Sequence, residues 1–64
     1  METTGTVVAI EPGTFINPEA LKEAGWENTG SKFSNYEIWR KKNGGKERIL
    51  YDPQDQVISR VYDI

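Results

Sequence analysis

The fold turns on Asn35-Tyr36-Glu37-Ile38-Trp39-Arg40-Lys41-Lys42, Lys46-Glu47-Arg48-Ile49-Leu50-Tyr51 and Gln56-Val57-Ile58-Ser59-Arg60-Val61-Tyr62-Asp63-Ile64. Aromatic and β-branched residues recur within each run. The joins, Asn43-Gly44-Gly45 and Asp52-Pro53-Gln54-Asp55, hold the residue types that turn a chain. Glycine accepts positive φ, proline presets φ, and Asn or Asp bonds its own backbone. Three strands joined this way form an antiparallel meander.

Upstream, Asn17-Pro18-Glu19 opens a helix. Asn17 is an N-cap, proline suits the first helical position, and Glu19 puts negative charge at the positive end of the helix dipole. Gly25 closes it as a left-handed C′ residue, and Trp26 follows, with a contact back to Leu21 expected. Barely two turns remain, too few to stand without the sheet. Thr4 to Ile10, carrying Val7, Val8 and Ile10, reads as a first strand ended by Glu11-Pro12-Gly13. Glu27 to Ser34 reads as a polar loop with Phe33 its only apolar residue. Residues 1–64 thus form a single α+β domain of order β-α-β-β-β, one short helix on a mainly antiparallel four-stranded sheet. A small partly open β-barrel is the alternative.

Sixty-four residues leave room for one core. The chain has no cysteine and no histidine. Disulfides, a thiolate nucleophile, the commonest general base and the commonest zinc ligands are therefore absent. Neither a metal nor a cofactor is expected. Asp52 and Asp55 flank a turn, where carboxylates bond their own backbone; two of them without further oxygen ligands hold a divalent ion weakly. The glycines match no phosphate-binding fingerprint. No signal peptide or membrane span is legible, so a soluble cytoplasmic protein is expected.

Two surfaces invite function. Alternation gives the last two strands apolar residues on both faces, while one small helix covers only one. A spare face presenting Trp39, Leu50 and Val57 or Val61 is expected. A tryptophan there marks a protein partner or a homodimer surface. The second is the hairpin from Tyr36 to Arg48, with five bases and one acid between Trp39 and Arg48. Such a basic, aromatic hairpin suits single-stranded RNA or DNA. Lysines at a sheet edge also serve simply to block edge pairing. The pI near 5.0 lacks the broad basic footprint of a nucleic-acid binder.

Ala20-Leu21-Lys22-Glu23-Ala24-Gly25-Trp26, the polar Gly30-Ser31 segment and Tyr36-Glu37-Ile38-Trp39-Arg40 with Gly44-Gly45 together resemble HicA-type toxins, small α-β-β-β-α RNases. In that family a histidine follows the loop. Here Asn35 falls near its place, and no closing helix follows the meander. The resemblance therefore implies an RNA-binding surface without the nuclease.

The reading favoured by the residues is a non-enzymatic binding module, a small regulator, inhibitor or accessory subunit, acting through protein contacts. Trp39 is the expected anchor. Tyr36, Leu50 and Tyr51 are expected to supply area, and Arg40, Lys41 and Arg48 a charged rim. Single-stranded nucleic acid is the alternative ligand.

Overall fold

A computed structural model describes residues 9–64. The elements run α1 (Pro18–Glu23), β1 (Trp26–Phe33), β2 (Tyr36–Lys41), β3 (Glu47–Asp52) and β4 (Val57–Asp63). The four strands form one antiparallel open sheet in the order β1-β2-β3-β4. The α+β class, the single helix and the four-stranded sheet all agree with the sequence reading.

Among the described residues the fourth strand of the sheet is not the one expected over Thr4 to Ile10. Residues 4–8 of the expected first strand lie outside the described residues, and Ala9 and Ile10 belong to no strand. The fourth strand is instead β1, in the stretch read as a loop. It hid because it is an edge strand with five of its eight residues exposed, so it carries no apolar alternation. Its ladder with β2 also breaks between Asn28 and Lys32, where β1 spends two more residues than β2. Local bonds hold this bulge: Asn28 Oδ1 accepts from the Gly30 amide, and the Thr29 hydroxyl donates to the Ile38 carbonyl at 2.8 Å. A bulge of this kind also protects an open edge from pairing with other chains. Ser34-Asn35 then closes a two-residue hairpin, with Ser34 at φ 58°. Positive φ at the first central position gives the strands their matched twist.

The helix follows its sequence signals closely. Asn17 Oδ1 accepts from the Ala20 amide at 2.8 Å, and Gly25 sits at φ 98°. The Gly25 carbonyl then accepts from the Lys42 amide at 2.8 Å, tying the helix end to the β2–β3 hairpin.

Between Gly13 and Ile16 the chain runs beside the start of β4. The Gly13 amide donates to the Ile58 carbonyl, the Ile58 amide to Thr14, and the Ile16 amide to Gln56. This segment and α1 lie on the same side of the sheet. There the core gathers Ile16, Leu21, Trp26, Trp39, Ile49, Tyr51 and Ile58, with Ile10, Ala20 and Val61 packed on its margin.

Tyr51 joins the two layers. Its buried hydroxyl donates to the Ile16 carbonyl at 2.6 Å. Burial, and after it the charges of Glu37 and Asp52, raises its pKa above the ordinary 10.0. The folded state therefore favours the protonated phenol. Its contribution is fully present below pH 10 and is lost as pH rises through the raised value. Tyr51→Phe should cost about 1–3 kcal/mol at neutral pH, because the Ile16 carbonyl loses its partner. Denaturant titrations at pH 8 and pH 11 should show the gap between wild type and variant narrowing at the higher pH. An unchanged gap would mean that the phenol does not ionise at a raised pKa.

Candidate binding face

The register sorts the paired strand residues onto two faces. Trp39 pairs with Ile49, and Ile38 with Leu50. Side chains directly opposite each other share a face. Trp39 and Leu50 therefore point to opposite sides, against the expectation that they share an exposed patch. Trp39 is 1% exposed and Tyr51 0%. Their rings meet edge to face at 5.8 Å. Neither serves as surface area for a partner. The physical reason is volume: this register puts the large Trp39 and Tyr51 rings beneath the helix and the 10–16 segment, where both bury fully.

Lys41 also lies on the helix side. Its ammonium stands 5.3 Å from the Trp26 ring centroid and 3.6 Å from Glu47 Oε1. It shields the edge of the core, and does not share a face with Arg40.

The other predicted residues do come together. Tyr36, Leu50, Arg40 and Arg48 occupy the side of the sheet away from the helix. Sequence reasoning missed four residues that join them: Phe33, Ile38, Arg60 and Tyr62. These four and Leu50 line a shallow groove of about 370 Å³. Phe33 is 62% exposed, a high value for a large apolar ring. Ile38 and Tyr36 were placed on one face by alternation, so that part was legible. Arg60 was not. The β3–β4 ladder slips between Leu50 and Tyr51, so Tyr51 faces Ile58 while Leu50 faces Arg60. That bulge puts Ile58 and Val61 on the same side, and simple alternation fails across it.

Three rows cross the open face. At the end nearest the β2–β3 hairpin stand Glu27, Arg40, Arg48 and Tyr62. In the middle are Ile38, Leu50 and Arg60. At the far end are Phe33, Tyr36, Asp52 and Val57. All three arginines of the chain lie in these rows, whereas Lys32 and Lys41 fall on the helix side and Lys42 and Lys46 lie in the β2–β3 turn. Arg40 Nε is held at 2.6 Å by Glu27 Oε2. The Arg48 guanidinium donates to the Gly45 and Glu47 carbonyls, using two of its N–H groups. Asp52 Oδ1 accepts from the Gln54 and Asp55 amides.

Both carboxylates on the face, Glu27 and Asp52, are thus engaged by neighbours. Among the described residues no three acidic side chains come close enough to hold a metal ion. A second depression, of about 400 Å³, opens beside the exposed Phe15. No family model, curated protein or solved structure matches the chain. Among the described residues no helix is long and apolar enough to cross a membrane.

Proposed function

We propose that this protein is a non-enzymatic, cytoplasmic binding module that acts through protein contacts on the open face of its sheet. One observation carries this reading: Phe33, Ile38, Leu50 and Tyr62 form an apolar groove on the side away from the helix, ringed by arginine and tyrosine. Tyr, Phe and Arg are the residues enriched in the desolvated centres of interfaces, and Lys is depleted there. Leu50 takes the anchoring role first assigned to Trp39, with Arg40 and Arg48 on the rim. Leu50→Arg places a charge in the centre of the groove while leaving the core beneath untouched. It should weaken association with the partner by more than about 2 kcal/mol. Capture of complexes from the source cell with wild-type and variant protein, each checked for native circular dichroism, measures this. Equal recovery of the same complex by both would sink the reading.

A second reading has its own observation. The concentration of all three arginines beside Phe33, Tyr36 and Tyr62 also fits single-stranded nucleic acid, with phosphates on the guanidinium groups and bases on the rings. It requires affinity for a mixed-sequence oligonucleotide that falls steeply with salt. No anisotropy change at low ionic strength would eliminate it. The aliphatic centre of the face, Ile38 opposite Leu50, favours a protein side chain over a base.

A further inference from the structure

We infer that the partner on the open face is a second copy of this chain, packed sheet to sheet about a two-fold axis that runs across the strands. The inference rests on the reading of that face as a protein-contact surface, and it specifies the occupant and the docking geometry.

Among the described residues the fold leaves one face of its sheet uncovered. A 64-residue chain without cysteine has few means of stabilisation besides its core, and association is a common remedy. Among the described residues the one helix, six residues long, and the 10–16 segment cover one face of the sheet. Ile38 and Leu50, opposed at the centre of the other face, remain only half-buried. Two such faces at the ~10 Å separation of packed sheets would enclose both pairs.

Charge then selects the orientation. An axis running along the strands would lay β2 over the partner's β3, and so Arg40 over Arg48 at both positions. Like charges in contact oppose that arrangement. An axis running across the strands lays each strand over its own copy, with the direction reversed. The hairpin-end row of one face then meets the far-end row of the other. Arg48 falls over Asp52, and Arg40 over Tyr36, where a guanidinium stacks on a phenol. Ile38 meets Ile38, and Leu50 meets Leu50. The Arg48–Asp52 and Arg40–Tyr36 contacts each occur twice, as an isologous interface requires, and the Ile38 and Leu50 self-contacts lie on the axis. Arg60 meets its own copy, but on an outer strand. Packed sheets cross at about −30°, which swings their outer strands apart and leaves those two charges in water.

Size sets the strength. Four strands at ~4.8 Å spacing and six residues at ~3.4 Å each make a footprint of roughly 400 Å². A standard interface buries about 800 Å² per partner, so the dimer belongs to the small, weak class.

Sedimentation equilibrium from about 1 µM to about 1 mM tests this on the full chain. The expected result is a reversible monomer–dimer equilibrium. Leu50→Arg should abolish it. Arg48→Asp alone and Asp52→Lys alone should each weaken it roughly tenfold. Mixing those two variants should restore association. In the mixed dimer the introduced aspartate faces the introduced lysine at one contact, and the native Asp52 and Arg48 face each other at the other. Circular dichroism confirms that each variant is folded, since Asp52 also supports its turn. A wild-type chain that stays monomeric throughout overturns the inference. So does a dimer that survives Leu50→Arg, which would place the contact elsewhere, for example around Phe15. So does the absence of rescue in the mixture. A monomer whose cellular complex is lost on Leu50→Arg overturns the second copy but keeps the face as a protein-contact surface. A monomer whose complex is insensitive to Leu50→Arg overturns both. A monomer that binds the oligonucleotide instead transfers the face to nucleic acid.

Discussion

Trp39→Ala should remove a large part of the domain's stability at room temperature. The side chain lies at the centre of β2, is 1% exposed, and is the largest fully buried group among the described residues. Truncating a buried tryptophan costs about 3–5 kcal/mol, from lost transfer energy and from the cavity left behind. Globular proteins hold about 0.05–0.15 kcal/mol of stability per residue, which for this chain is roughly 3–10 kcal/mol in total. The loss is therefore comparable with the whole. Two further contacts disappear with the ring: the edge-to-face packing on Tyr51, and the bond from the indole Nε1 to Glu37 Oε1 at 3.2 Å. Trp39→Phe retains much of the volume and should lose less. Urea denaturation followed by far-ultraviolet circular dichroism measures both. If Trp39→Ala cost under about 1 kcal/mol, the register that puts Trp39 opposite Ile49 would be wrong.

That expectation reverses the role the sequence suggested for the residue. The meander was legible because its joins, Asn43-Gly44-Gly45 and Asp52 to Asp55, contain turn chemistry that the structure uses: Asn43 Oδ1 accepts from Gly45, and Asp52 Oδ1 caps its own turn. The helix was legible for the same reason, since Asn17, Pro18 and Gly25 act locally. Register is not local. Glu37, Trp39 and Lys41 were correctly grouped on one side, but alternation within β2 cannot say whether Ile49 or Leu50 joins them. That choice depends on which arrangement buries more volume under the helix. The bulge in β4 then shifted the phase once more, between Ile58 and Val61. β1 escaped notice because an edge strand exposed on most of its length has little hydrophobic pattern to read. The open face was therefore expected for a sound reason, that one short helix covers one side of a sheet, but populated with some of the wrong residues.

The same economy makes Leu21 the second sensitive point. It is the only buried residue of α1, and it is 0% exposed. Six helical residues have no stability of their own, because nucleation is unfavourable and few hydrogen bonds follow it. What holds the helix is Leu21 in the core, the Asn17 cap and the bond from Lys42 to Gly25. Leu21→Ala raises helix propensity slightly but removes the one large apolar contact. It should destabilise the domain by about 2–5 kcal/mol. The loss should not be shared evenly. The helix undocks first, so the amides of Leu21 and Ala24, bonded to Asn17 and Ala20, should exchange with solvent far faster than those of β2 and β3. Residue-resolved hydrogen exchange separates this from uniform destabilisation. Equal acceleration in helix and sheet would mean that the helix and the sheet unfold as one unit. The sheet would then depend on its one covering helix as strictly as the helix depends on Leu21.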